Sequence, residues 1–296
     1  MKNKLKIDLP VAIKELEIAT KKSVTTGLIG KYKSTFKGKG LEFDGYRAYT
    51  QDDDASMIDF KASARSENLL VKEFVEERNM DLFILVDASA SMLSTSTKKI
   101  KSEYVAEVVA AIAYTALASG DNVGYALFNE EPKAEVNIRT GMDTMNFFLK
   151  DVLNPHNYGG AFSFKKALQY LNEKLRERTL VMIFSDFIFI GNEWEDEFSI
   201  VAEKFDLIGF MVRDPLDISL PKGNAQVLVS DPLSGQKMLI QTKKIRDQYE
   251  IETRKEINTF TDIFARSGSD FLLLRTDQPY LNKVINFFNE RSLKWK

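Results

Sequence analysis

The sequence predicts an α/β fold, a mostly parallel sheet with helices on both faces. Two observations carry this. Short continuous apolar runs at Asp81–Val86, Thr179–Ser185 and Leu207–Val212 have the look of strands buried on both sides. Between them lie segments of helical period, above all Lys98–Ser119, with Tyr104, Val105, Val108, Val109, Ile112, Ala116 and Leu117 on one stripe and Gly120 as a stop. Strands that alternate with helices pair in parallel, because each helix carries the chain back across the sheet.

The remaining elements follow in order. Val123–Phe128 reads as a second strand and Lys133–Ile138 as a weaker one at an edge. Helices are expected at about Met142–Val152, Ser163–Glu177 and Glu193–Lys204. Asp214-Pro215, Pro221, Gly223, Asp231-Pro232 and Ser234-Gly235 surround two short apolar runs, which predicts an inserted β-hairpin within 213–242. A long helix, Lys243–Arg266, a strand, Asp270–Leu274, and a helix, Pro279–Arg291, close the chain.

Residues 1–79 read as a separate N-terminal helix and β module, and 80–296 as the α/β domain. A short helix is expected over Val11–Lys22 after Pro10. Lys31, Lys33, Lys37 and Lys39 then fall on one face of an extended segment, read as a solvated edge rather than a nucleic-acid surface. Arg47 with Asp53, Asp54, Asp59 and Arg65 reads as an ion-pair network that locks this module onto the sheet.

Composition narrows the chemistry. The 296 residues are 44% apolar and 28% charged, with a net charge of -2, which argues against bulk electrostatic binding to nucleic acid. There is no Cys, so disulfides, thiolate-bound zinc, iron–sulfur clusters and thiol nucleophiles are excluded. A single His, His156, excludes any site built on two imidazoles, and its loop position beside Pro155 suits a surface residue. Without a secretory pattern or a bilayer-length apolar run, the expectation is a cytoplasmic protein with no direct membrane insertion.

In open parallel sheets ligands bind at the carboxyl ends of the strands. Asp87-Ala88-Ser89-Ala90-Ser91 follows the first buried strand, Ser185-Asp186 ends a later one, and Tyr158-Gly159-Gly160-Ala161-Phe162-Ser163 leads into a helix. One carboxylate, hydroxyls at alternate positions and a second carboxylate make a hard-oxygen set suited to Mg²⁺ or Mn²⁺ with retained waters. Ile188–Trp194, just beyond, is a candidate apolar rim for a partner, with Trp194 its best anchor.

The D-x-S-x-S pattern at Asp87, Ser89 and Ser91 resembles the metal-ion-dependent adhesion motif of von Willebrand factor A domains, which are Rossmann-like. The resemblance implies metal ligation by Asp87, Ser89, Ser91 and Asp186, with Ser163, by a shift of register, where those domains have Thr. Upstream, Phe36–Phe43, Arg47-Ala48-Tyr49, Asp53-Asp54, Ile58-Asp59-Phe60 and Ala62–Arg65 are similar to the "domain of unknown function 58" family. So are Val71–Phe74, Glu76-Glu77 and Asp214-Pro215…Leu220-Pro221, and the likeness runs from about Gly27 to Ser267. Members of that family are often encoded beside MoxR-type AAA+ ATPases. The resemblance therefore implies a non-enzymatic, metal-assisted protein-interaction module. It would be partner or adaptor of such an ATPase, with a client that supplies an acidic ligand residue. Two other readings stand beside it: a metal-dependent hydrolase or phosphatase with Asp87 as nucleophile, and a metal-free scaffold.

Overall fold

The computed structural model describes residues 42–50, 53–66, 68–75, 79–191, 193–224 and 226–294. The expected helix at Val11–Lys22 and the lysine-bearing segment at 31–39 lie outside the described residues.

The centre of the molecule is a six-stranded sheet. Its strands are β3 (Asp81–Asp87), β4 (Asn122–Phe128), β5 (Pro132–Arg139), β6 (Leu180–Ser185), β7 (Asp206–Arg213) and β10 (Asp270–Arg275), in the order β10-β7-β6-β3-β4-β5. All neighbours are parallel except β5, which pairs antiparallel with β4 and forms one edge. From β3 the chain builds outward through β4 and β5, then returns to the other side of β3 for β6, β7 and β10. The reversal lies between β3 and β6, where the connections leave in opposite directions, the point at which open parallel sheets place their ligand crevice.

Period-two alternation divides the core. Leu82, Ile84 and Val86 of β3, with Leu180, Met182 and Phe184 of β6, face α2 (Lys101–Ala118), α3 (Asp143–Val152) and α8 (Leu281–Lys294). Phe83, Leu85, Val181 and Ile183 point the other way, onto α4 (Phe164–Lys174), α5 (Glu195–Lys204) and α7 (Thr242–Arg266). This accounts for the unbroken apolar runs: both faces of each central strand are covered. Glycines in the sheet permit two close approaches. A Cβ on Gly124 would lie 2.7 Å from the Ile138 backbone nitrogen, and one on Gly209 would lie 2.6 Å from the Phe264 ring.

Two smaller sheets flank the domain. β1 (Glu42–Ala48) pairs antiparallel with β2 (Leu70–Val75), with the short helix α1 (Phe60–Ser63) between them in sequence. Arg47 holds Asp53 through two bonds of 2.5 and 2.6 Å, and Lys72 pairs with Asp59 at 3.1 Å. These contacts tie the hairpin to its own loop, where the sequence suggested a lock onto the central sheet. The inserted segment contains a turn of helix, α6 (Pro215–Ile218), and the hairpin of β8 (Gln226–Ser230) and β9 (Lys237–Gln241).

Candidate functional site

Asp87 is the last residue of β3, and parallel pairing puts the following loop at the reversal point. The Asp87 side chain is fully buried. Its Oδ1 accepts the Ser89 backbone N–H at 2.7 Å, and its Oδ2 accepts the Ser185 hydroxyl at 2.6 Å. Both donors are neutral. Burial, then repulsion from Asp186, pushes the Asp87 carboxyl up to about 7, only partly offset by the hydrogen bonds from Ser185 and Ser89.

The Ser89 and Ser91 hydroxyls lie 3.0 Å apart on the turn that follows. The glycine loop is stitched to the same turn: Gly159 N–H donates to Ala88 O at 2.9 Å and Ala90 N–H to Gly160 O at 3.0 Å. Gly160 has φ +66, a left-handed conformation that costs a glycine little. Ser163 stands at the start of α4. Its hydroxyl accepts the Lys166 N–H at 3.4 Å and caps α4, so the loop's hydroxyl serves the helix start. This capping bond is what the structure shows of the residue that the resemblance implied as an ion ligand.

Asp186 follows β6 directly. Its Oδ1 accepts the Ile188 N–H at 3.1 Å, while Oδ2 accepts the Lys101 ammonium at 2.6 Å. Lys101 is itself fully buried and donates a second bond, 2.9 Å, to Asp217 on α6. Burial alone would lower the Lys101 pKa. The carboxylates of Asp186 and Asp217 outweigh it and hold the ammonium above its ordinary value. Asp217 Oδ2 also accepts the Asp214 N–H, and Asp214 in turn accepts the Ser96 N–H at 2.7 Å. The inserted α6 is thereby bonded to the loop after β3.

Lys101, Ser185, Asp214 and Asp217 were not singled out as site residues from the sequence. One signal for Lys101 was present. A lysine in the first turn of a helix opposes the helix dipole, so its charge had to be used elsewhere.

The rim differs from expectation as well. Trp194 is buried, stacked on Phe260 with ring centroids 5.6 Å apart and packed edge-on to Phe164 and Phe198. It belongs to the core and not to a partner surface, because its ring fills the space between α4, α5 and α7. The exposed aromatic is Phe189, 70% accessible. Phe187 and Phe189 both have positive φ, 51° and 60°, so the backbone beside Asp186 is held in a strained conformation. His156 is exposed on its loop.

Among the described residues no three carboxylates or imidazoles converge as a metal-ligating group. A cation here would therefore rest on one carboxylate, hydroxyls and waters. The residues fit such an ion. The Ser89 and Ser91 hydroxyls are hydrogen-bonded to each other at 3.0 Å, and neighbouring corners of an octahedron with bonds of about 2.1 Å stand about as far apart. Of the four carboxylates, Asp186 and Asp217 bond the Lys101 ammonium, whereas Asp87 and Asp214 accept from hydroxyl and backbone donors.

An α/β domain with a buried cluster of carboxylates and hydroxyls at the sheet's reversal point is thus the class that fold and site define. Residues 45–259 match the family described as "Protein of unknown function DUF58", and the chain belongs to that family. It is 24% identical over 288 residues to "Uncharacterized protein Rv1480" of Mycobacterium tuberculosis (strain ATCC 25618 / H37Rv), covering 96% of this chain and 90% of the relative. "Uncharacterized protein Mb1516" of Mycobacterium bovis matches over the same length at the same identity. Among solved structures, the conserved hypothetical protein BatB from Bacteroides thetaiotaomicron aligns with a TM-score of 0.49 at 12% identity, over 73% of this chain and 100% of its own. An aerotolerance-related membrane protein from Bacteroides fragilis aligns at 0.47 and 14%, with the same coverage of both chains. Among the described residues no helix is long and apolar enough to cross a membrane.

Proposed function

We propose that the crevice is a cation-assisted docking site of the von Willebrand factor A type. In this reading Asp87, Ser89 and Ser91 hold Mg²⁺ or Mn²⁺, and Asp186 orders its waters. The observation that carries the reading is Asp87: a buried carboxylate facing only neutral donors, next to a second carboxylate and followed by a pair of hydrogen-bonded hydroxyls. A bound divalent ion would supply positive charge and an open coordination position suited to an acidic side chain of a partner protein. This chain's own residues fix that position. Ser185 holds Asp87 in place, and the Gly159-Gly160 loop braces the Ser89–Ser91 turn. The wider role proposed is that of a non-enzymatic partner or adaptor of a MoxR-type AAA+ ATPase, acting on a client protein. It rests on the resemblance carried by the upstream motifs.

The test is calorimetric titration of metal-stripped protein with Mg²⁺ and Mn²⁺ beside Asp87→Asn. Saturable binding that disappears in the variant is expected. A folded wild-type protein that takes up neither ion overturns the preformed-ion mechanism. Co-sedimentation with the MoxR-type ATPase of the same genome, in Mg²⁺ and in chelator, tests the partner.

A second reading is favoured by one contact. The Lys101 ammonium already lies 2.6 Å from Asp186, and on that basis the crevice is a scaffold whose internal cation is lysine.

A further inference from the structure

The hairpin of β8 and β9 buries little of its apolar surface. Leu228, Val229, Leu233, Met238 and Leu239 are all exposed, several by 60% or more. Its register sets Val227 against Ile240, Leu228 against Leu239 and Val229 against Met238, so one face carries Val227, Val229, Met238 and Ile240 and the other carries Leu228 and Leu239. Its root is fixed, since the Thr242 hydroxyl at the start of α7 donates to Gly223 O at 3.0 Å. Two strands with apolar side chains on both faces are marginal in water.

The two edges of this small sheet are not alike. β9 presents Lys237, exposed, and the chain continues directly into Lys243 and Lys244. A lysine on an edge strand guards it against pairing with another chain. β8 has no such guard. Gln226-Val227-Leu228-Val229-Ser230 contains no charge and no proline, and among the described residues it pairs with β9 alone. It also reads alike in both directions, polar–apolar–apolar–apolar–polar.

We infer that this chain forms a two-fold dimer in which β8 pairs antiparallel with β8 of a second copy, centred on Leu228. The occupant is a second copy because the strand is complementary to itself. About that axis Leu228 meets Leu228 of the partner, Val227 meets the partner's Val229, and Gln226 meets the partner's Ser230, each pair on one face and without like charges. The product is a four-stranded sheet, β9-β8-β8-β9, with three or more strands over a common apolar face. Lysine-bearing β9 lies at both outer edges, so the assembly closes at two copies instead of growing into a fibre. The inference stands independently of the crevice and its cation.

The absence of Cys makes the test clean. Sedimentation of the full chain across a concentration series should give the mass of two copies. Leu228→Lys, which sets like charges against each other at the axis, should give one copy while the far-UV spectrum stays unchanged. Leu228→Cys should cross-link to a dimer under mild oxidation. Leu239→Cys, equally exposed but one strand removed from the axis, should not. A wild-type chain that stays monomeric throughout, or Leu239→Cys cross-linking as readily as Leu228→Cys, overturns the inference.

Discussion

Lys101 and Asp186 are 85 positions apart in sequence and 2.6 Å apart in the fold, an ion pair with both side chains withdrawn from water. One comes from the first turn of α2, the other from the end of β6. Their contact joins the two sides of the crevice. Bonding of Lys101 to Asp217 carries the same link on to α6.

Lys101→Met should therefore be strongly destabilising. It leaves Asp186 a buried charge without its partner, a loss of about 3–5 kcal/mol. Urea unfolding at neutral pH measures it. The double variant Lys101→Met with Asp186→Asn should recover part of the loss, because the fully buried charge of Asp186 is gone and only the partly exposed Asp217 is left without the ammonium. A single variant as stable as wild type removes Lys101 as the internal counter-ion.

Ser185→Ala removes the hydroxyl that holds Asp87 Oδ2 at 2.6 Å and accepts the Phe187 N–H at 2.8 Å. If Asp87 carries a cation, the loss of this supporting bond should weaken Mn²⁺ affinity about 10–100-fold. Titration followed by Mn²⁺ paramagnetic resonance reads this directly. Unchanged affinity in the variant argues that the ion does not rest on Asp87.

Two aromatic residues beyond Asp186, Phe189 and Trp194, should behave oppositely. Trp194→Ala empties a site packed by Phe164, Phe198 and Phe260 and should cost about 3–5 kcal/mol. Phe189→Ala, at a largely exposed position, should change stability by no more than about 0.5 kcal/mol. Thermal or urea denaturation of both variants distinguishes them.

Gly124→Ala tests the edge of the sheet. The added methyl would stand 2.7 Å from the Ile138 nitrogen and 2.9 Å from the Val136 oxygen, both backbone atoms of β5. Those atoms cannot swing aside like a side-chain tip. A loss of about 1–3 kcal/mol is expected, with faster amide exchange confined first to β5.

Asp59 gives the pH dependence of the N-terminal module. The Ala62 backbone N–H, then the Lys72 ammonium, lower its carboxyl from 3.8 to about 2. A lowered carboxyl stabilises the fold above its unfolded value and loses that contribution as pH falls through the folded one. The Lys61 and Ala62 amides, which both donate to Asp59 Oδ1, should then titrate by NMR near pH 2 and not near 3.8. A midpoint at the ordinary value would show that these bonds are not kept in solution.

Much of this protein was legible in its residues. Buried strands announce themselves as unbroken apolar runs, and helix α2 by its stripe of Val, Ile and Ala, because backbone geometry imposes its period locally. Asp87, Ser89, Ser91 and Asp186 could be placed near one crevice, since the ends of parallel strands form one edge. The same local rules could not show where Ser163 would turn its hydroxyl, which was settled by the start of α4.

What the sequence by itself determined is the order of strands and helices, the parallel sheet and the residues at its carboxyl edge. Only the tertiary structure decided that Lys101 balances Asp186, that Trp194 lies in the core while Phe189 reaches solvent, and that the uncharged strand β8 pairs, among the described residues, with β9 alone. The physical reason is range. Periodicity and capping act over a few residues, whereas burial and ion pairing depend on which distant segments the packed sheet brings together.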